Sequence, residues 1–224
     1  MTIPANFDPR QVPFEPDRSG LPAVDPARLT PQALIDRFSS NLAWEPDFRH
    51  EPRFSQRSLR PAAVLVGLVM RERPTVLLTQ RTAHLSSHSG QVAFPGGKTD
   101  DADAGPHATA LREAQEEVGL AAEFVNVIGS LPLYTTGSQY EITPVVALLH
   151  PALKLSANTF EVASIFEVPL DFLMNPANHR HHRMSSPAGT RHWLSMPYHD
   201  GQEERYIWGA TAGMLRNLYQ FLSL

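Results

Sequence analysis

The sequence contains no cysteine, and this absence excludes disulfide bonds, thiolate metal sites and a cysteine nucleophile. It also lacks a long hydrophobic run. The longest apolar stretch, residues 62–70, is far shorter than the roughly 20 residues that a membrane-spanning helix needs. The N-terminal segment has no apolar core of signal-peptide length. We therefore expect a cytoplasmic protein with no membrane partner.

The sequence has no excess of positive charge. It contains 19 Lys and Arg residues and 23 Asp and Glu residues, which give a formal net charge of −4 with His neutral. A general nucleic-acid binder needs a basic face that attracts phosphates, so we expect no nucleic-acid partner. A small anionic substrate fits this charge if a cation or a local arginine cluster offsets the repulsion. The sequence leaves open whether the protein forms a homodimer.

Proline is concentrated at the front of the chain, with seven in the first 31 residues. Such a stretch holds neither a helix nor a central strand, so residues 1–29 are predicted to form an extended arm. Thr30 and Pro31 are typical of a helix start and predict a short helix over residues 30–42. Residues 30–224 are expected to form one domain.

Beyond residue 60, short apolar runs alternate with helical patterns. The predicted strands cover residues 62–70, 75–79, 124–131, 142–149 and 162–168, with weaker signals at 191–196 and 205–208. The predicted helices cover residues 108–118, 170–174 and 210–224, and Gly119 stands where a C-terminal cap belongs. Met214, Leu215 and Leu218 make an apolar face on the last helix. The pattern indicates an α/β protein with a mixed sheet covered on both sides.

Three carboxylates are crowded onto one face of the helix predicted over residues 108–118. At 100° per residue, Glu113, Glu116 and Glu117 fall within an arc of about 100°. Each pair repels by roughly 3 kcal/mol at an effective dielectric near 20, and by under 1 kcal/mol in water. A pocket lined by this face would favour a divalent cation, and hard oxygen ligands select magnesium or manganese. A solvated acidic surface is the ordinary alternative.

The segment 97–120 resembles the Nudix box, a loop-helix-loop with the consensus G-x5-E-x7-R-E-U-x-E-E-x-G-U, where U is apolar. The matching positions are Gly97, Arg112, Glu113, Ala114, Glu116, Glu117, Gly119 and Leu120. Asp103 stands where the first Glu is expected, and eight residues rather than seven separate it from Arg112. A metal-site role is therefore not carried over to Asp103. The resemblance implies a Nudix-type α/β/α sandwich with a mixed central sheet.

A second motif, L-L-T-Q-R-T-A-H-L-S-S-H-S-G-Q-V-A-F-P-G-G over residues 77–97, resembles the signature that precedes the box in coenzyme A-type Nudix pyrophosphatases. Residues 206–216 are similar to the end of bacterial members. This resemblance implies hydrolysis of the diphosphate linkage of coenzyme A or a derivative, giving 3',5'-ADP and 4'-phosphopantetheine or its acyl form. Two alternatives stay open: a broader, ADP-ribose-like nucleoside-diphosphate hydrolase, and a Nudix-fold nucleotide-binding regulator without catalysis.

The resemblance also implies roles for single residues, with Mg²⁺ or Mn²⁺ as the cofactor. Glu113 and Glu117 are the expected metal ligands, with Glu116 as a third or water-mediated ligand. The expected catalytic residues are Glu116, Glu117, Arg112, which could fix a carboxylate rotamer, and Glu161, an outside candidate for the general base. The expected substrate contacts are Arg81, His88, Gln91, Gly96 and Gly97.

A polar run at residues 179–183, His-Arg-His-His-Arg, has no obvious partner carboxylate. We expect a solvated loop or hairpin tip there; a metal site and a contact with a substrate phosphate are the alternatives. Trp44, Trp193 and Trp208 are expected to pack in the protein rather than to stack on adenine.

Overall fold

The computed structural model describes residues 7–17, 19–40, 42–51, 58–85, 89–186 and 189–224. The helices among them are α1 (Pro31–Ser39), α2 (Pro106–Val118), α3 (Leu170–Leu173) and α4 (Gly209–Ser223). The strands in this part of the chain are β1 (Phe14–Pro16), β2 (Arg60–Val69), β3 (Thr75–Arg81), β4 (Val92–Ala93), β5 (Gly96–Lys98), β6 (Val125–Ser130), β7 (Tyr134–Thr135), β8 (Tyr140–Leu149), β9 (Val162–Pro169), β10 (Arg180–Ser186), β11 (Gly189–His199) and β12 (Glu204–Trp208).

The larger sheet has the strand order β4-β3-β2-β8-β6, with β5 paired to β2, β7 to β8 and β9 to β3. β2 and β8 run parallel over their full length, and the other pairs are antiparallel. This confirms the prediction of a mixed sheet. The two parallel strands are the long apolar runs of the sequence, as expected for strands buried on both faces.

Each face of the larger sheet is covered by its own apolar cluster. Side chains of α2 pack on one face, where Ala110, Ala114 and Val118 meet alternate residues of β2 and β8. The small alanines let the helix axis lie close to the sheet, where α2 contacts both β2 and β5. α1 and α4 belong to the cluster on the opposite face. The predicted apolar face of α4 is confirmed, because Met214, Leu215 and Leu218 are buried.

A second sheet, which the sequence did not predict as such, has the order β1-β10-β11-β12. Its strand β10 contains residues 180–183 of the polar run, and His179 directly precedes the strand, so the expectation of a solvated loop or hairpin tip was wrong. His179 and His182 are buried. They are tolerated there because each ring nitrogen has a hydrogen-bond partner: for His182 these are the Val12 carbonyl and the Ser195 hydroxyl. Neutral imidazoles whose two nitrogens are both bonded cost little to bury.

The described part of the N-terminal arm packs on this second sheet and on α4. β1 pairs with β10, and the amide of Val24 donates to the Met174 carbonyl at 3.0 Å. Asp17 accepts a hydrogen bond from Arg216 of α4 at 2.6 Å, and both side chains are almost fully buried. The arm is therefore held to the domain by a buried ion pair as well as by apolar contacts.

The predicted start of the first helix and the packing of two tryptophans agree with the structure, whereas α1 ends at Ser39 rather than at residue 42. The Thr30 hydroxyl accepts from the Ala33 amide, and Pro31 occupies the first turn of α1. Trp193 is buried, and Trp44 packs against Phe221 at a centroid distance of 5.1 Å. Among the described residues, no helix combines the length and apolar character that crossing a membrane requires.

Candidate active site

The sequence of α2 determines where the helix starts and ends and therefore how its carboxylates face the larger sheet. Pro106 starts the helix, and Gly119 ends it in the left-handed conformation at φ 66°, which places its amide on the carbonyls of the last turn. Between these ends, Glu117 lies on the buried face, Glu113 is half-buried beside it, and Glu116 is exposed. The predicted common face is thus divided between the protein interior and its surface.

Glu117 is the most buried of the three carboxylates, with a residue exposure of 3%. Its Oε2 accepts the Gly96 amide at 3.2 Å, and its Oε1 accepts Nη1 of Arg81 at 3.3 Å. Burial raises the pKa of Glu117 to about 7; these two partners oppose the rise, and the charges of Glu113 and Glu161 add to it. The site therefore gathers more negative charge than its own cations balance.

Arg112 holds the acidic cluster in place with hydrogen bonds from all five of its N–H groups. Its Nε and Nη2 each donate to one Asp103 oxygen at 3.0 Å, and Nη2 also donates to the Lys98 carbonyl at 3.0 Å. Its Nη1 donates to Glu113 at 3.0 Å and to Glu116 at 3.2 Å. Arg112 thus fixes two carboxylates of α2 and ties them to the loop that precedes the helix.

Asp103 is the acceptor that orients Arg112. It also accepts the Thr109 hydroxyl at 2.8 Å and the Asp100 amide at 2.9 Å. These contacts, with the guanidinium of Arg112 as the main cause, hold the pKa of Asp103 far below its ordinary value. The extra residue between Asp103 and Arg112 is absorbed by the loop and the first turn of α2, so the bidentate pair still forms.

The backbone at Gly96 and Gly97 leaves no room for a side chain. A Cβ on Gly97 would meet the carboxylate of Glu113, with Oε2 at 2.6 Å. A Cβ on Gly96 would meet the Ala63 carbonyl at 2.5 Å. Glycine at residue 97 therefore allows Glu113 to lie directly on the backbone of β5, and glycine at residue 96 allows β5 to pair closely with β2.

Arg81 brings the second sequence motif into the same cluster. It ends β3, and its side chain crosses to Glu117 on the α2 side of the sheet. Within the residues that the structure describes, its buried Nε has no hydrogen-bond partner. A buried guanidinium N–H without an acceptor is costly, and an anionic oxygen of a ligand would satisfy it.

Glu161 lies at the edge of the cluster, in the turn that enters β9. Its charge raises the pKa values of both Glu113 and Glu117, after the larger effect of burial. The turn is fixed from two sides, because the Glu161 carbonyl accepts the Thr82 amide at 2.9 Å and the Asn158 amide donates to the Glu117 carbonyl at 2.9 Å. The structure thus brings Glu161 to the predicted site.

Gln91, one of the expected substrate contacts, lies apart from this cluster. Gln91 pairs with Arg81 through its backbone carbonyl, at 3.0 Å from the Arg81 amide. It contributes to a cavity of about 240 Å³ whose lining also includes Arg10, Gln80, Tyr206 and Trp208. Because Gln80 and Arg81 alternate along β3, this cavity opens on the face of the sheet opposite α2. His88 falls outside the described residues.

The metal site expected from sequence is only partly assembled by the side chains. Over the described ranges, no group of three or more His, Asp or Glu side chains is arranged to hold a metal ion by itself. Glu116 turns toward Arg112, and more than half of its side chain is exposed. Glu113 and Glu117 supply hard carboxylate oxygens on the inner side of α2, with Glu161 nearby. This donor set and its unbalanced negative charge fit a magnesium or manganese ion.

Comparisons with known proteins agree on the family. Residues 59–186 match the model of the NUDIX domain. An uncharacterized Nudix hydrolase, NudL, of Yersinia pestis is 40% identical over 194 residues, which cover 85% of this chain and 94% of that protein.

Two solved structures of Nudix proteins are also similar. The Nudix hydrolase RenU of M. smegmatis has a TM-score of 0.44 and 28% identity, covering 52% of this chain and 74% of that one. An Ap4A hydrolase of C. elegans has a TM-score of 0.43 and 20% identity, covering 49% of this chain and 80% of that one.

Proposed function

We propose that this chain, which belongs to the Nudix hydrolase family, cleaves the diphosphate linkage of coenzyme A or its derivatives. As a Nudix hydrolase it acts on pyrophosphate bonds, and its family is generally dependent on divalent metal ions. The proposed products are 3',5'-ADP and 4'-phosphopantetheine, or the acyl form of the latter. The coenzyme A assignment is supported by the resemblance of residues 77–97 and 206–216 to coenzyme A-type members of the family.

The observation that carries this proposal is the meeting of Arg81 and Glu117. Arg81 belongs to the motif that resembles the coenzyme A signature, and Glu117 belongs to the box that resembles the hydrolytic centre. The two side chains are hydrogen-bonded at 3.3 Å, and the Nε–H of Arg81 is left to donate to a ligand oxygen. Substrate recognition and hydrolysis would therefore take place at one cluster, with Arg81 orienting a phosphate against the carboxylates.

In this proposal Glu113 and Glu117 hold a magnesium or manganese ion, and Glu116 acts as a third or water-mediated ligand. When bound, the cation offsets charge on the diphosphate and lowers the pKa of a water molecule. Arg112 keeps Glu113 and Glu116 in fixed rotamers through one hydrogen bond to each, and its other three bonds, to Asp103 and the Lys98 carbonyl, hold the guanidinium in place. Glu161, at the rim of the cluster, accepts the proton of the attacking water as general base.

The substrate assignment is tested by turnover. The purified protein would be incubated with coenzyme A, ADP-ribose and diadenosine tetraphosphate, with magnesium or manganese and with a chelator, and the products separated by chromatography. We expect metal-dependent release of 3',5'-ADP from coenzyme A at a higher kcat/KM than any release from the other two substrates. Comparable turnover of ADP-ribose with none of coenzyme A would reject coenzyme A in favour of the broader hydrolase.

The Glu117→Gln variant separates catalysis from simple nucleotide binding. Gln is nearly isosteric and can still accept one hydrogen bond, so the fold should be kept while a charged oxygen donor is lost. We expect kcat to fall by orders of magnitude with an unchanged circular dichroism spectrum. Unchanged kcat would show that the site lies elsewhere, and an inactive wild-type protein that binds nucleotide would favour the regulator.

A further inference from the structure

Phe160 is the most exposed large apolar side chain among the described residues, at 68% of its full area. A single exposed apolar side chain is common on protein surfaces, so its exposure alone indicates no function. Neither sequence motif includes this residue. What distinguishes Phe160 is its position, because the turn that carries it is bonded to the elements of the proposed active site.

The backbone around Phe160 is fixed rather than free. Its amide donates to the Asn158 side chain at 3.2 Å, and its carbonyl accepts the Thr82 hydroxyl at 3.0 Å. Asn158 is in turn bonded through its amide to the carbonyl of Glu117 at 2.9 Å. The ring is thus carried by a turn that is tied both to the helix with the acidic cluster and to the strand that carries Arg81.

This turn places the ring at the rim of the proposed active site. The next residue is Glu161, whose charge acts on Glu113 and Glu117. On the other side, the ring of His84 lies 5.2 Å from the phenyl ring, centroid to centroid, at an interplanar angle of 58°. His84 also belongs to the segment that resembles the coenzyme A signature. Two planar side chains therefore stand side by side next to the proposed site of the diphosphate.

We propose that Phe160 stacks against the adenine base of the substrate, an inference that rests on the proposed function for the presence of an adenine nucleotide. A nucleobase offers a planar π-face, is joined to the diphosphate through a single ribose and stacks on an aromatic ring without needing a specific hydrogen bond. The pantetheine arm offers no planar surface. Phe160 would then set the affinity for the nucleotide half of the substrate and leave the chemistry to the carboxylates.

The test measures binding of AMP, 3',5'-ADP and 4'-phosphopantetheine by calorimetry to the wild-type protein and to Phe160→Ala, Phe160→Leu and Phe160→Tyr. Base–aromatic stacking predicts that Phe160→Ala binds both adenosine ligands about 5- to 150-fold more weakly. Phe160→Leu should show most of this loss, and Phe160→Tyr should restore wild-type affinity. Binding of 4'-phosphopantetheine should be unchanged. In turnover, KM should rise while kcat stays within about twofold, because uniform binding is lost.

Phe14→Ala is the matched control, since Phe14 is also half-exposed but lies on β1 of the second sheet. It should leave all three affinities unchanged. Removal of the exposed Phe160 ring leaves no core cavity, so the melting temperature should also be unchanged.

Unchanged adenosine affinity in Phe160→Ala, an equal loss in Phe14→Ala, no AMP binding by the wild type, or a loss confined to 4'-phosphopantetheine would each overturn the inference. AMP is a part of both coenzyme A and ADP-ribose. Rejection of coenzyme A by the turnover test is therefore a separate result from rejection of the stacking role.

Discussion

The fold buries the carboxylate of Glu117 among other acidic groups. The contribution of this residue to the free energy of unfolding therefore depends on pH. Burial raises its pKa from an ordinary value of 4.5 to about 7. In the metal-free protein, the stabilisation from the protonated Glu117 side chain is therefore fully present below about pH 4.5 and is lost as pH rises through 7. The loss is on the order of 3 kcal/mol, at about 1.4 kcal/mol per pKa unit.

A divalent ion bound at Glu117 should reverse this loss. We predict that millimolar magnesium or manganese raises the melting temperature more at pH 8 than at pH 5.5, because protons compete with the ion at the lower pH. Differential scanning fluorimetry at the two pH values measures this. Glu117→Gln should reduce the shift and its pH dependence, whereas Glu123→Gln, at an exposed site outside the cluster, should not. Equal shifts at both pH values would contradict the assignment.

Gly97 has no Cβ, and this leaves space for the carboxylate of Glu113. A methyl group there would occupy the place of the Glu113 carboxylate, so Gly97→Ala should displace that carboxylate without a large effect on the core. We predict a fall in kcat of about 10- to 100-fold, equivalent to about 1.4–2.8 kcal/mol of transition-state stabilisation. Steady-state kinetics and thermal unfolding together test this, and the melting temperature should fall by only a few degrees.

Gly67→Ala is the matched control for that substitution. Its added methyl would press on the side chain of Leu149 at 2.6 Å, inside the core that α2 covers. We expect lower stability from overpacking, with kcat per folded molecule close to wild type. If the two alanine variants had the same ratio of activity loss to stability loss, the special role of Gly97 would be rejected.

At the scale of elements, Arg112 joins α2 to the loop between β5 and the helix. Arg112 and Asp103 form a bidentate pair in a partly buried site. The contribution of each side chain to stability and activity should therefore depend on the presence of the other. We predict that Arg112→Lys and Asp103→Asn each lower the melting temperature and kcat, and that the double variant is barely worse than either single one.

The exposed pair Arg73 and Asp171 is the control for this cycle. It has the same bidentate geometry, with side chains 65% and 40% exposed. Arg73→Lys and Asp171→Asn should have small effects that simply add, since exposed ion pairs contribute little. Additive effects at Arg112 and Asp103 as well would show that the loop is held by other contacts.

The strands and helices that the sequence predicted are those with a strong local pattern. β2 and β8 are long apolar runs, and α2 is composed of helix formers up to Gly119, so local propensity and tertiary packing agree there. β10 was missed because its histidines and arginines have the composition of a surface loop. The burial of His182 depends on partners distant in sequence, such as the carbonyl of Val12, which no local pattern reveals.

The same reasoning separates the site residues. Glu113, Glu117 and Arg112 lie within one helix, so their common location follows from helical geometry. Arg81 was expected from a motif, yet its bond to Glu117 spans 36 positions and depends on how β3 ends beside α2. Asp103 was set aside because one residue too many precedes Arg112, and the loop accommodates that residue. Phe160 belongs to no motif, and only its position beside the acidic cluster in the folded chain identifies it.

At the scale of the whole molecule, the arm, the second sheet and α4 are joined by one buried polar network. Arg216 donates to Asp17 at 2.6 Å, to Asp47 at 2.9 Å and to Nδ1 of His179 at 3.1 Å. Nε2 of His179 in turn donates to the Leu173 carbonyl at 2.8 Å. His179 must therefore be neutral, since it accepts at one nitrogen from a guanidinium and donates at the other.

This network predicts acid sensitivity of the entire fold. Burial, and then the charge of Arg216, lower the pKa of His179 to about 4, although its bond to Leu173 opposes the change. A histidine with a lowered folded pKa contributes stability above its unfolded pKa of about 6.5, and that contribution is lost as pH falls toward 4. The loss is on the order of 3 kcal/mol. Urea unfolding between pH 7 and pH 4 should show a decrease of that size in the free energy of unfolding.

His179→Gln tests whether this residue is the cause, because a Gln side chain can donate to Leu173 and accept from Arg216 without taking up a proton. We expect the variant to be somewhat less stable at pH 7, since its shape differs, but to lose markedly less stability toward pH 4 than the wild type does. His192→Gln, at an exposed position of β11, should keep the wild-type slope. A Gln side chain binds no proton and cannot contribute to proton linkage. If His179→Gln lost as much stability between pH 7 and pH 4 as the wild type, other groups would be the cause of the acid sensitivity.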